Sequence, residues 1–336
     1  VVALAQRVME EIQRPFEIDG REVHCGASIG IAVDEARALS AGVLLRNADA
    51  AKYLAKERGK ARFVVFEESM HAAAYERMEL KSDMPGALTS GQFAVHYQPI
   101  VDLETGELDG VEALLRWTHP TRGFVGPDVF IPVAEHSGFI TTLGAWVLDQ
   151  ACADLRRWRD ADPDGRTFHM SVNLSVRQLE QPSLAADVAA ALARHGLSAE
   201  DLVLEITESV LMTDAAAAHT RLEEIRALGV RTALDDFGTG YSSLRYIDKL
   251  PVDVVKIDRS FVARLGEDPT VVQAVVDLAG KLRLTLVAEG IEELEQWDIL
   301  KGMGCDHGQG YYFARPMPAA DLQALAAARR RPAPAA

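Results

Sequence analysis

FAVHYQPIVDLETGELDGVEALLRW, residues 93–117, decides the fold. Its two ends, FAVHYQPI (93–100) and LDGVEALLRW (108–117), read as apolar strands joined across Leu103-Glu104-Thr105-Gly106-Glu107. A parallel crossover needs a dozen residues or more, so this link is a hairpin and the first strand runs antiparallel to the second. Outward from it the pattern becomes a repeat. Short apolar runs recur at HMSVNLS (169–175), LVLEITE (202–208), RTALDDF (231–237), DVVKID (253–258), LTLVAEG (284–290) and GQGYYF (308–313). Helical stretches at 143–159, 184–195, 215–228, 270–282 and 318–329 separate most of them. Eight strands alternating with helices predict an α/β fold, a TIM-like (β/α)8 barrel over residues 91–330 with an antiparallel first strand.

The residues before the barrel follow another plan. Leu4, Val8 and Ile12 recur at helical spacing, and Asp19-Gly20 turns between PFEI and VHCGASIGIAV. A helix over LLRNADAAKYLAKERG, stopped at Gly59, leads to the strand RFVVF. Residues 1–66 are too few for an independent α/β domain and form a partial α+β segment. Residues 67–90 are polar and helix-prone and read as a linker, with Pro85 expected to break the helix or restart it after Asp83. The Pro/Ala-rich end, 331–336, is expected to fray. Arg329 to Arg331 suit a solvated helix C-terminus.

The 336 residues carry 50 acidic and 35 basic side chains, a net charge of −15, which argues against polymeric nucleic acid as a partner. A small anionic substrate requires metal ions or local Arg and Lys. Cys25, Cys152 and Cys305 are widely spaced and odd in number, so they read as reduced thiols and predict a cytoplasmic setting. No apolar run reaches the roughly 20 residues of a membrane span. The chain begins Val1-Val2 and reads as part of something longer, whose missing regions could hold a membrane anchor.

In such barrels the active site lies at the C-terminal strand ends. Nearly every apolar run here closes on a polar residue: Glu112, Asn173, Glu205, Asp235-Asp236, Lys256 and Glu289, with Gln309 opening the last. One or two such residues are explained by helix capping; seven strands in agreement are not. Carboxylates and an amide are hard oxygen donors that suit Mg²⁺ or Mn²⁺ better than Zn²⁺. No HxH or HExxH occurs, and His96, His169 and His307 read as packing or edge residues. Asp235 and Asp236 are adjacent, so both reach one site only where the strand ends and turns. One carboxylate would then bridge two cations about 3.5–4 Å apart, an arrangement that serves in-line displacement at phosphorus. Lys256 is expected to position a water or help deprotonate it, with its pKa lowered by burial and cations.

With these residues in place, the chain resembles the EAL-domain cyclic di-GMP phosphodiesterases. The matches run YQPI (97–100), EALLRW (112–117), FIPVAEHSGFI (130–140), VNLS (172–175), EITE (205–208), DDFGTGYSSL (235–244), KID (256–258), AEGIE (288–292) and QGYYF (309–313). The resemblance implies a first metal held by Glu112, Asn173, Glu205 and Asp235. A second would be shared by Asp235 and held also by Asp236 and Glu289. Lys256 and Gln309 would orient the attacking water, Glu208 would hold the loop after Asp236, and Gln98 and Arg116 would contact the substrate. It further implies two divalent cations (Mg or Mn), hydrolysis of cyclic di-GMP to linear pGpG, and a homodimer through the barrel. Asp258 is open between a partner of Lys256 and a helix cap.

Residues 1–66 resemble the C-terminal half of a GGDEF (diguanylate cyclase) domain, through SIGIAV and RNADAAKYLAKERGKARFVVF. No Gly-Gly pair occurs in the chain, so the signature turn is missing, and Lys56 and Lys60 read as surface residues. Two other functions compete: a cyclic di-GMP receptor that binds without hydrolysis, and an enolase-like barrel with a Lys base. The last requires facing lysines, and only Lys256 is so placed.

Overall fold

The computed structural model describes residues 1–18, 21–23, 25–34, 39–57, 61–161, 168–208, 215–238 and 250–328. The chain divides into two compact units, Val1–Pro85 with Asp128–Val133, and Gly86–Pro127 with Ala134–Ala336.

In the first unit a helix, α1 (Val2–Ile12), precedes an antiparallel hairpin of β1 (Phe16–Ile18) and β2 (Arg21–Val23). The Asp19-Gly20 turn lies outside the described residues. The long apolar stretch after it is not one strand: a separate strand, β3 (Ile29–Ile31), turns to a different partner. It pairs in parallel with β4 (Phe63–Val65) through the intervening helix α2 (Ala41–Glu57). Ala51, Ala55 and Val64 form the buried centre, and Gly30 lets α2 cross β3 too closely for any side chain. The expected stop at Gly59 is outside the described residues. Helix α3 (Ser69–Thr89) runs through Pro85 without a break, contrary to expectation. Pro85 is exposed, while Leu80, Met84 and Ala87 are buried along one face; that burial offsets the proline's penalty.

The second unit contains a closed eight-stranded barrel. β5 (Phe93–Asp102) and β6 (Leu108–His119) pair antiparallel as the hairpin demanded, and a short β7 (Gly123–Val125) extends β6. Parallel pairings then run from β6 through β8 (His169–Leu174), β9 (Leu202–Thr207), β10 (Arg231–Phe237), β11 (Val254–Ile257) and β12 (Thr285–Glu289) to β13 (His307–Gln309). β13 closes onto β5 antiparallel, and β14 (Met317–Pro318) adds a short pairing to β5. The last strand is shorter than the sequence suggests, because Tyr311–Phe313 form a turn. The helices at Leu184–His195 and Thr270–Leu282 have the expected bounds, and those at Ile140–Ala161, Ala215–Ala227 and Ala319–Ala328 lie close to them.

Strand alternation builds the interior. Ile100, Val203, Ala233, Val254 and Val287, one from each of five strands, form a buried apolar layer inside the barrel. Two residues further toward the C-terminal end of the parallel strands, the same faces carry Glu205, Asp235, Lys256 and Glu289. β5 runs the other way, and its Gln98 stands two residues before Ile100. The outward faces and the helices make the larger core, including Val172, Leu204, Leu234, Val255, Leu286 and Ala288.

Candidate active site

The polar layer converges on one ammonium group. Lys256 on β11 is 1% exposed, and its Nζ lies 2.6 Å from Glu205 Oε2 and 2.6 Å from Glu289 Oε1. Glu112 Oε2 and Asp235 Oδ1 are each 3.4 Å from it. Around this core, Asn173 Nδ2 donates to Glu112 Oε1 at 2.7 Å, and Gln309 Nε2 donates to Glu112 Oε2 at 2.7 Å. Gln309 also donates to Gln98 Oε1 at 2.9 Å, while Gln98 Nε2 donates to the carbonyl of Ala314 at 3.1 Å. Seven strands therefore contribute to a single connected cluster, and Gln98 from β5 makes it eight. Asn173 alone among them is exposed, at the mouth.

Asp236 joins the cluster by a different device from the one expected. The strand does not end after Asp235: β10 continues to Phe237, and the register against β11 slips between Leu234 and Phe237. Asp236 sits in that bulge with φ of 55°, a left-handed conformation that Asp tolerates better than most residues. The bulge cancels the alternation, so carboxylate oxygens of Asp235, Asp236 and Glu289 all lie within 4.8 Å of one another. Backbone strain concentrated at a carboxylate cluster marks a functional position.

The electrostatics follow from burial. Five carboxylates (Glu112, Glu205, Asp235, Asp236, Glu289) face one ammonium, an excess of four negative charges when all are ionised. Burial raises the Glu289 carboxyl to about 7, with Asp235 and Glu112 adding to the rise and Lys256 opposing it. Glu205 is likewise held well above the carboxylate range by burial, and Asp236 is raised by burial and by Asp235. Glu112 goes the other way. Burial would raise it, but Lys256, Gln309 and Asn173 bring it below its ordinary value. The fall expected for Lys256 presupposes cations beside it, and without them the carboxylates dominate. Burial alone would lower it, but Glu112, Glu205, Glu289 and Asp235 hold it protonated, well above the ordinary lysine value. In the metal-free cluster Lys256 is therefore a charged hydrogen-bond donor.

The donor set fits hard divalent cations. Gln309 Oε1 is buried and accepts no hydrogen bond among the described residues, and Asp235 Oδ1 accepts none either, being held only by the Lys256 ammonium 3.4 Å away; room for a further positive partner remains at both. Carboxylate and amide oxygens gathered this closely, with more acids than one ammonium can balance, form a donor set of the kind that holds such cations.

The remaining expected residues are placed less centrally. Arg116 lies on the same face of β6 as Glu112, four residues further along, about 13 Å toward the rim. It is half-buried, and its Nη1 donates to the Leu115 carbonyl. Glu208 directly follows β9, but the loop it was expected to hold, from residue 239, lies outside the described residues. Asp258 takes the capping role: its side chain accepts from Ser260 N at 3.0 Å at the start of the short helix Arg259–Val262. At the opposite end of the barrel, His169 and His307 share the carboxylate of Asp109, 3.3 and 3.1 Å from Oδ2, an arrangement the isolated histidines gave no sign of.

Comparison with known proteins agrees with this geometry. A family profile described as the EAL domain matches residues 81–316. The chain is 43% identical over 327 residues to a bifunctional diguanylate cyclase/cyclic di-GMP phosphodiesterase, MucR, of Pseudomonas aeruginosa, covering 96% of this chain and 47% of that protein. It is 39% identical over 330 residues to the cyclic di-GMP phosphodiesterase NbdA of the same organism, covering 97% of this chain and 42% of the relative. The chain thus spans less than half the length of these relatives. A solved structure described as the PaMucR phosphodiesterase in complex with c-di-GMP is 44% identical, with a TM-score of 0.69 over 73% of this chain and 99% of that one. The EAL domain of Mycobacterium smegmatis DcpA is 39% identical, with a TM-score of 0.61 over 71% of this chain and all of that one (100%).

Proposed function

The chain belongs to the EAL domain family, and from that premise we propose that it hydrolyses one phosphodiester of cyclic di-GMP to give linear pGpG. The observation that carries the reading is the cluster itself: five carboxylates, three amides and a buried Lys256 contributed by the strands of the barrel, with Asp235, Asp236 and Glu289 gathered within 4.8 Å. Glu112, Asn173, Glu205 and Asp235 would hold one divalent cation, and Asp235, Asp236 and Glu289 a second, each Mg²⁺ or Mn²⁺. Bound there, the pair supplies positive charge for the phosphate oxygens and lowers the pKa of a water.

The chain's own residues do the rest. Lys256, fixed between Glu205 and Glu289, presents a charged donor that orients the attacking water and, with cations bound beside it, would more readily give up a proton and help to deprotonate that water. Gln309, tied to Glu112 and Gln98, has an Oε1 that accepts no hydrogen bond among the described residues and is able to accept one from the same water. Arg116 at the rim offers a planar fork to a phosphate. Gln98, which also holds Gln309, keeps a second N–H and a second lone pair with which to contact the substrate.

Glu208 is assigned to holding the loop after Asp236, and the barrel to a homodimer contact. The segment before the barrel is read as the C-terminal part of a GGDEF-type domain. These three assignments rest on the family resemblance.

The test is turnover of cyclic di-GMP with Mg²⁺ or Mn²⁺, followed as pGpG. Wild-type protein should turn over steadily and Glu112→Ala should not. Stoichiometric binding of the dinucleotide with no pGpG under either metal would replace this reading by a non-hydrolysing receptor.

A further inference from the structure

Asn173 stands at the mouth, next to last in β8; its amide donates to Glu112, and where the strand presents it depends on how the chain is held beyond the strand end. The fixing element lies two residues on. Ser175 caps the four-residue helix Val176–Leu179 through a reciprocal box: Gln178 N donates to Ser175 Oγ at 3.2 Å, while Ser175 N and Oγ donate to Gln178 Oε1 at 3.2 and 3.1 Å. The Gln178 side chain is buried, 7% exposed, and is seated on Gly144 of the helix Ile140–Ala161. A Cβ at residue 144 would fall inside 3.0 Å of all three atoms of the Gln178 amide group, Nε2, Cδ and Oε1. Glycine inside a helix costs about 1 kcal/mol relative to alanine, so its presence requires a packing reason. The seat for this amide is that reason.

We propose that Gly144 and Gln178 form a positioning lock for Asn173: the glycine admits the Gln178 amide, the amide closes the Ser175 cap, and the cap sets where β8 presents Asn173 to Glu112. The inference rests on the proposed function, in which Asn173 is a cation ligand. The amide of Gln178 ends a flexible side chain, so a methyl group at residue 144 displaces it cheaply. The consequence is an opened cap rather than an unfolded barrel. Neither residue touches the cluster; both act through Ser175 and the backbone to Asn173, whose Nδ2 contacts Glu112 at 2.7 Å.

The experiment is a calorimetric titration of the metal-free chain with Mn²⁺, alongside thermal melting and the pGpG assay. The variants are Gly144→Ala, Gln178→Ala, their double, Gln178→Glu and the neighbouring exposed Gln181→Ala. Loss of a metal ligand's own hydrogen-bond partner weakens affinity by about 10–100-fold; Gly144 and Gln178 act one step further out, so Gly144→Ala and Gln178→Ala should weaken Mn²⁺ uptake by about ten-fold, the lower end of that range. The double should be no weaker than Gln178→Ala, since a methyl has nothing left to displace. Gln178→Glu, which keeps the Oε1 acceptor, and Gln181→Ala should bind as wild type. Wild-type affinity in Gly144→Ala, or a double variant whose loss is the sum of the singles, overturns the lock. Should Gly144→Ala not fold, equal affinities for Gln178→Ala and Gln178→Glu overturn it as well. Absence of Mn²⁺ uptake by the wild-type chain would instead sink the proposed function, and the lock with it.

Discussion

Replacing Lys256 by methionine keeps the buried volume and removes the one ammonium among Glu112, Glu205, Asp235 and Glu289. Removing one partner of a buried ion pair costs about 3–5 kcal/mol, because the other charge is left uncompensated. For a barrel of this size about 2–4 °C is lost per kcal/mol, so in chelator at pH 8 the melting temperature should fall by on the order of 10 °C. The sign of the pH dependence follows from the raised carboxyls. Glu205 and Glu289 are pushed up by burial even with Lys256 opposing, and Lys256→Met raises them further. A carboxyl whose pKa is raised on folding contributes stability that is present below its unfolded pKa and lost as pH rises through the folded one. The deficit of the variant should therefore be small near pH 5 and widen toward pH 8. Added Mg²⁺ should narrow it, since a divalent cation restores the missing charge. The assay is thermal unfolding of wild type and variant at pH 5 and 8, each with chelator and with Mg²⁺. A deficit that is the same at both pH values would refute the argument, because it would mean a packing loss and not a stranded charge.

Other perturbations have equally definite outcomes. Asp236→Asn keeps the shape of the bulge residue and removes its charge, so pGpG formation should fall at least about a hundred-fold with little change in melting temperature. Gly290→Ala places a side chain at φ of 73° and against Arg259 immediately after Glu289; it should lose more than about 1 kcal/mol in denaturant unfolding and lower kcat as Glu289 shifts. Tyr97→Phe removes the hydroxyl that donates to the buried Asp154 carboxylate at 2.6 Å, leaving Gln150 and Arg157 as its partners; the cost should be about 1.5–3 kcal/mol with turnover retained. His169 is lowered to about 4 by burial, Arg231 and His307, with Asp109 opposing. A histidine depressed on folding contributes stability that is present above about pH 6.5 and lost as pH falls toward 4, here about 3 kcal/mol. His169→Gln should flatten the acid limb of the stability profile over that window.

What could be read without coordinates was whatever depends on strand period and connection length. The five-residue link after Asp102 required a hairpin, and the hairpin reversed β5. Polar residues closing the apolar runs required a common end, and the cluster around Lys256 is that end. The misses have a shared cause: they depend on what lies across space from a residue. Pro85 is tolerated because Leu80, Met84 and Ala87 are buried beside it, which spacing alone does not show. That four carboxylates from four other strands meet Lys256 and oppose the effect of its burial likewise needs distances the sequence does not carry. Gly144 looks like any helical glycine until Gln178 is seen on it, although S-x-x-Q at residues 175–178 was a legible capping signal.

The bulge at Asp236 joins the two kinds of result. Alternation along a strand gives each barrel strand one inward position per pleat, and the apolar layer of Val203, Ala233, Val254 and Val287 is followed one pleat on by the acids and Lys256. Such a layer supplies at most one inward carboxylate from each strand. Here β10 supplies two neighbouring carboxylates to one group of three within 4.8 Å, and alternation forbids that unless a residue is inserted. The slip between Leu234 and Phe237 makes that insertion, and the φ of 55° at Asp236 is its conformational cost. Restoring regular register by deleting Asp236 should therefore leave a sound barrel whose site has lost its second carboxylate from β10. The chain around Asp235 is regular enough to fold without the bulge; only the chemistry needs it.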